Sequence, residues 1–144
     1  MDNIDPIWKL NRIADDNIYL NEERYNQPKI SFKKLYELIK KRENCSFLDI
    51  GCATGELIYY LMPKLPSFSF QGLDISNNLL DKARAKIPNS KFIQQDIVTS
   101  YADWSEKPTA DIVVMFGVLS VFDNFQDIID NLFCCVNKGG YIYI

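Results

Sequence analysis

The chain has 144 residues, of which 47% are hydrophobic and 24% charged, and its net charge is −3. This is long enough for one domain with a sizeable core, and the balance is that of a globular chain, not a disordered or fibrous one. No basic stripe offsets the acidic balance, which argues against nucleic acid as a partner, and no apolar stretch approaches the roughly 20 residues of a membrane span.

The N-terminus carries Asp2, Asp5 and Asp15 without an apolar core, so it does not read as a signal peptide. Cys45, Cys52, Cys134 and Cys135 form no C-x-x-C pair, and there is no histidine to complete a zinc site. No metal is expected. Reduced thiols in a cytoplasmic protein are the expected state.

Residues 1–30 read as an N-terminal helical segment set before a domain spanning 31–144. The segment is polar with scattered anchors, among them Trp8, Tyr19 and Tyr25, and a short helix is expected after Pro6. A helix over about 31–41 follows, with Ser31 as its N-cap and Phe32, Leu35, Tyr36, Leu38 and Ile39 as its apolar face. Lys33, Lys34, Lys40, Lys41 and Arg42 lie on the same helix and read as a solvated face.

From there strands and helices alternate. Strand 46–50 leads to a helix at 55–63, strand 68–73 to a helix at 77–86 capped by Ser76, and strand 90–95 to a weakly patterned stretch with Tyr101 and Trp104. Strand 111–115, Asp-Ile-Val-Val-Met, is the continuous apolar run of a central parallel strand. A helix at about 124–135, a turn at Gly139-Gly140 and a last strand at 140–144 complete the series. Repeated β-α-β units imply an α/β fold: a doubly wound, mainly parallel sheet with helices on both faces. Such sheets bind ligands at the carboxyl ends of their strands, near the point where strand order reverses.

Those strand ends carry a pattern. The first runs into Asp49-Ile50-Gly51-Cys52-Ala53-Thr54-Gly55, a small-residue turn that lets backbone approach a ligand, with Asp49 placed to pair with an ammonium group. The second ends in Asp74-Ile75, where an acid accepts bonds from ribose hydroxyls. The third ends in Asp96-Ile97, where an acid accepts from an exocyclic amine of adenine while Ile75 and Ile97 flank the ring. The fourth ends in Met115-Phe116-Gly117-Val118, small and apolar residues suited to the floor of a site. Taken singly, Asp74 or Asp96 reads equally well as a cap for the next helix. Three acidic strand ends in register with a small-residue first turn are much harder to obtain by chance.

With these residues the chain resembles the class I, Rossmann-like, S-adenosylmethionine-dependent methyltransferases over about residues 45–144. The first motif of that family, an acid followed by G-x-G-x-G, stands here as Asp49 and Gly51 to Gly55 with Ala53 at the middle glycine. The resemblance implies S-adenosylmethionine as cofactor and S-adenosylhomocysteine as product. It assigns the methionine part to Asp49 and the Gly51, Cys52, Ala53, Gly55 turn, the ribose to Asp74, and the adenine to Asp96 and Ile97. It also implies a lid role for the N-terminal segment, against which simple packing on the sheet is preferred. The dinucleotide fingerprint G-x-G-x-x-G would put Glu56 at its third glycine, which disfavours a nicotinamide oxidoreductase.

Methyl transfer needs alignment and exclusion of water more than acid–base groups. No Asn/Asp-Pro-Pro-Tyr or Pro-Cys motif follows the fourth strand, and the segment 116–123 is similar to the loop of small-molecule methyltransferases. The expectation is transfer to an O or N atom of a small-molecule acceptor, with a cofactor-binding module lacking turnover as the alternative. Tyr19, Tyr25, Tyr101, Asp123 and the lysines stay open as bases. Cys134 and Cys135 read as packing residues. The family sheet has seven strands, and this chain stops inside the fifth; the fold is expected to be truncated there, leaving an apolar edge through which the chain could form a homodimer.

Overall fold

The computed structural model of the chain describes residues 18–119, 122–123 and 125–144. The short helix expected after Pro6, and Trp8 with it, lie outside them. Five strands form one sheet in the order β3-β2-β1-β4-β5, with every pairing parallel. They are β1 (Ser46–Ile50), β2 (Ser69–Asp74), β3 (Lys91–Gln94), β4 (Ala110–Val114) and β5 (Val136–Tyr143). Strand order reverses between β1 and β4, which places the crevice of a doubly wound sheet at the carboxyl end of β1.

Four α-helices cover the sheet among the described residues: α1 (Ile30–Ile39), α2 (Glu56–Leu61), α3 (Asn77–Lys86) and α4 (Phe125–Cys135). Alternation along the strands divides the core in two. Phe47, Phe70, Ile112 and Val114 face α1, α2 and α3 through Leu35, Ile39, Ile58 and Leu80. Leu48, Leu73, Val113 and Met115 face α4 and Trp104 through Ile128 and Leu132. Because both faces are covered, consecutive residues of β1 (Phe47, Leu48) and β4 (Ile112, Val113, Val114) are apolar, without the alternation of a half-exposed strand.

The helix ends follow from local chemistry. Ser76 caps α3, its Oγ accepting from Leu79 N at 3.3 Å. Ser31 does not cap α1. That helix starts one residue earlier, at Ile30, with Lys29 in the cap position and no side-chain cap bond, so Ser31 falls inside the first turn. The helix expected over 55–63 splits into α2 and a 3-10 turn at Met62–Lys64, where Pro63 interrupts the α-helical bonding.

The last strand is longer than the sequence suggests. It follows α4 directly, and Gly139-Gly140 lies within it as an irregularity: Ala110 pairs Val136, then Ile112 pairs Tyr141. A methyl group on Gly140 would stand 2.5 Å from the Asp111 carbonyl oxygen, so the break needs that residue. Among the described residues β5 is the edge of the sheet, and Tyr141 on it and Ile144 just after it are exposed.

The far end of the sheet is clamped by one carboxylate. Asp111 Oδ2 accepts from Ser46 N at 2.9 Å and Ser46 Oγ at 3.0 Å, and its Oδ1 accepts from Asn137 Nδ2 at 3.0 Å. These bonds join β1, β4 and β5 at their amino ends. The Ser46 backbone bond, more than any other contact, holds the Asp111 carboxyl below the usual carboxylate range.

Candidate cofactor site

The cleft at the carboxyl ends of β1, β2 and β3 is lined by Gly51, Leu73, Asp74, Ile75, Gln95, Asp96, Ile97, Val118 and Phe122. Six residues named in the sequence therefore meet there: Gly51, Asp74, Ile75, Asp96, Ile97 and Val118. Asp49, Cys52, Ala53 and Gly55 are not among the lining residues; they lie on β1 and in the turn that follows it. Phe116 is packed against the core cluster of Phe47 and Val114, outside the cleft lining.

The turn spends most of its own donors on the protein. Gly51 N and Cys52 N both donate to Leu73 O, at 2.7 and 3.0 Å, and Gly55 N donates to Cys52 O at 2.9 Å. Ala53 N donates to Asp74 Oδ2 at 2.9 Å, while Asp74 Oδ1 accepts from Ser76 N at 2.9 Å. Asp74 thus does what a strand-end acid does for the next helix, and also fixes the first turn against β2. Asp74 also belongs to the cleft lining.

Two glycines have different reasons. Gly51 has φ +75°, and a methyl group there would meet Val118 Cγ2 at 2.3 Å, so it permits close approach inside the cleft. Gly55 has φ +80°, and its added methyl would meet Ile87 Cδ1 at 2.8 Å, so it serves packing against α3 and not ligand contact. Cys52 is likewise a core residue by its side chain: its Sγ occupies the space a methyl on Gly72 would need. Only its backbone faces the turn. Ala53 adopts φ +49°, a left-handed conformation that a glycine takes without cost.

Asp49 is 5% exposed, and among the described residues no hydrogen bond reaches its carboxyl group. Burial raises its pKa well above 3.8, and the neighbouring Asp74 carboxylate adds to this, while Lys29 opposes it. A buried acid of this kind gains most from an incoming cation.

The described part of the N-terminal segment is strapped beside the turn. A 3-10 helix at Glu22–Asn26 places Tyr25, whose hydroxyl donates to Thr54 O at 2.7 Å. Thr54 Oγ1 donates to Tyr19 O at 3.4 Å, Arg24 pairs with Glu56, and Lys82 and Lys86 pair with Glu22. Neither Tyr25 nor Tyr101 is poised as a base. Burial raises both pKa values, and Tyr101 packs on Trp104 in the second core, with ring centroids 5.0 Å apart.

Sequence reading named Val118 among residues suited to the floor of a site, but did not single out Phe122, Gln95 or Leu73 as lining residues. Val118 and Phe122 belong to the apolar segment 116–123, which carries an apolar signal that does not distinguish core from cleft. They narrow the cleft to a free volume of about 10 Å3, room for one water molecule.

A parallel sheet reversing at β1, with acids at three successive strand ends beside a small-residue turn, defines a nucleoside-binding domain of Rossmann-like, methyltransferase type. The family model described as "Methyltransferase domain" matches residues 48–142, and the chain belongs to that family. Among curated relatives, a trans-aconitate 2-methyltransferase of Rhizobium rhizogenes is 27% identical over 97 residues, covering 67% of this chain and 36% of that protein. A malonyl-[acyl-carrier protein] O-methyltransferase of Halalkalibacterium halodurans is 28% identical over 105 residues, 71% of this chain and 39% of that protein. The chain therefore spans less than two fifths of the length of these relatives. The solved structure of an S-adenosylmethionine-dependent methyltransferase from Geobacter sulfurreducens, in complex with S-adenosyl-L-homocysteine, superposes with a TM-score of 0.68 at 17% identity, covering 91% of this chain and 53% of that one. At that identity the likeness is one of fold.

Proposed function

We propose that this chain binds S-adenosylmethionine and forms the cofactor-binding part of a methyltransferase acting on an O or N atom of a small-molecule acceptor. The observation that carries the reading is the convergence of Asp74, Asp96, Ile75 and Ile97 on one cleft beside Gly51. Two acids set one strand apart suit a ribose and an exocyclic amine, and two isoleucines suit the faces of a purine. The buried, unbonded Asp49 suits the ammonium of the methionine part, with Cys52, Ala53 and Gly55 as the backbone course beneath it. Phe116 serves as apolar backing behind that course.

When bound, the cofactor would supply an electrophilic methyl carbon. The chain's own residues do the rest: Asp49 takes up positive charge, Asp74 and Asp96 orient the nucleoside, and the apolar cleft wall excludes water. Because a ligand of this size needs several hundred Å3, Val118 and Phe122 must give way on binding. The NAD reading is disfavoured by Glu56, which stands at the fingerprint's third glycine and pairs with Arg24.

A second reading has its own support. Since the matches span under two fifths of the relatives, acceptor-binding groups can lie outside these residues, and this stretch alone would bind cofactor without turnover. The segment 1–30 is read as an accessory strap on the domain 31–144. The β5 edge is read as a surface for a second copy, and the compartment as cytoplasmic. Among the described residues no helix is long and apolar enough to cross a membrane.

Calorimetric titration with S-adenosylmethionine, S-adenosylhomocysteine and NAD tests the proposal. Saturable binding of the two adenosyl ligands and none of NAD is expected. Binding of NAD alone would overturn it. Turnover against a metabolite library then separates the two readings.

A further inference from the structure

Asn131 is a polar side chain in an apolar place. It sits on α4 at 5% exposure, with its helical neighbours Ile128 and Leu132 fully buried in the second core cluster. Its amide is fully occupied. Nδ2 donates to Ile97 O at 2.7 Å and to Thr99 O at 2.9 Å, and Oδ1 accepts from Tyr101 N at 3.0 Å. One side chain thereby fixes three backbone groups within the five residues that follow Asp96.

Little else holds that stretch. Among the described residues Asp96 makes local bonds: its Oδ1 accepts from Val98 N at 3.2 Å, and its carbonyl accepts from Thr99 N and Gln95 Nε2, each at 3.2 Å. Gln95 N reaches Asp74 O at 3.0 Å, and Trp104 Nε1 donates to Thr99 O at 2.7 Å. The bonds from Asn131 fall on Ile97, a cleft residue, and on the turn in which Asp96 is held. The helix that carries Asn131 also follows the segment from which Val118 and Phe122 line the cleft. A buried amide that only completed backbone bonding could sit anywhere along the loop. This one bonds the backbone of a cleft residue, Ile97, from a helix whose Ile128 and Leu132 share a core cluster with Val118 and Phe122.

We propose that Asn131 is a positioning residue for base recognition: by holding the Ile97, Thr99 and Tyr101 backbone it sets Asp96 and Ile97 against the purine and so fixes the preference for adenine. The inference rests on the S-adenosylmethionine reading of the cleft. It predicts an effect on selectivity and not only on stability, because a carboxylate misplaced by a fraction of an ångström loses its bond to the amine while the rest of the ligand stays bound.

The experiment compares the affinity of the chain for S-adenosylhomocysteine with that for S-inosylhomocysteine, in which a keto oxygen replaces the amine. The wild-type chain should prefer the adenine ligand by about tenfold or more, the order expected for a hydrogen bond to a charged group. Asp96→Ala should abolish that preference. Asn131→Asp keeps the acceptor for Tyr101 N but loses both donors, and its preference should collapse toward unity while adenosyl binding remains measurable. Asn131→Ser keeps one donor, should fall between, and decides the matter if Asn131→Asp does not fold. If Asp96→Ala removes the preference but the Asn131 variants keep the wild-type ratio, whether or not they bind both ligands more weakly, Asn131 is structural only and the proposal is overturned. If the wild-type chain binds both ligands equally, the Asp96 reading fails and the proposal falls with it. Absence of any adenosyl binding by the wild-type chain would instead remove the cofactor reading itself.

Discussion

Asp49 and Asp111 stand on adjacent strands at opposite ends of the sheet, and their environments are opposites. Asp111, at the amino ends, accepts bonds from Ser46 and Asn137, and its pKa is lowered. Asp49, at the carboxyl end of β1, is buried, receives no bond among the described residues and has its pKa raised. The first is a completed structural clamp. The second is an acid kept from partners, which costs stability and is what a site for a cation requires.

The contrast breaks first at Asp49. Asp49→Asn should weaken adenosyl-ligand binding by about 2–3 kcal/mol, the order of a charged hydrogen bond or more. The same change should relieve the fold. Because the folded pKa is raised, the contribution of the protonated acid is present below pH 3.8 and is lost as pH rises through the folded value. The melting temperature of the unliganded wild-type chain should therefore decline across that range, and less so in Asp49→Asn. Equal pH slopes for the two chains would show that Asp49 carries no buried-charge penalty, and the comparison with Asp111 would lose its meaning.

Asp111→Ala is expected to be milder. It removes three accepted bonds, but at a solvent-accessible site, so a loss of about 1 kcal/mol is expected in urea denaturation. Here the sign reverses. A lowered folded pKa contributes stability above pH 3.8 that is lost as pH falls through the folded value, so the variant should differ from wild type at neutral pH and converge with it in acid. Cofactor affinity should be unchanged. A variant that lost binding as much as stability would mean that the two ends of the sheet are coupled.

The same contrast explains what was legible in the sequence. β1 was readable to the residue because Phe47, Leu48 and Ile50, set between a polar stretch and a small-residue turn, leave little freedom. The acids of the cleft were readable because each stands at or just beyond the end of a strand, Asp74 as the last residue of β2 and Asp96 two residues after β3. What escaped depends on contacts between distant segments. Asn131 looks like any polar residue on an amphipathic helix until the loop after β3 arrives beneath it. Phe122 looks like core until the cleft that it lines is assembled. The start of β5 was hidden because Gly139-Gly140 signals a turn, whereas the parallel ladder to β4 resumes after a local irregularity. The amphipathic pattern gave α1 its apolar face but not its first residue, since Ser31 is a good cap that the chain passes by.

Ala53 offers the finest probe of the functional end. Its φ of +49° is one that an L-residue with a side chain adopts at a cost, and glycine does not bear that cost. Glycine normally loses stability relative to alanine because the unfolded chain gains freedom, so the two terms oppose each other. At a left-handed position the strain is the larger, and Ala53→Gly should stabilise the chain by about 0.5 kcal/mol. The bond from Ala53 N to Asp74 Oδ2 does not involve the methyl group, so the carboxylate should stay in place and adenosyl affinity should hold or rise slightly. Denaturation and titration of the single variant measure both. A destabilised variant would show that the alanine methyl makes packing contacts worth more than its backbone strain. A stabilised variant with weaker binding would show that the strain itself holds the turn in its binding geometry, as strained backbone at a functional site can.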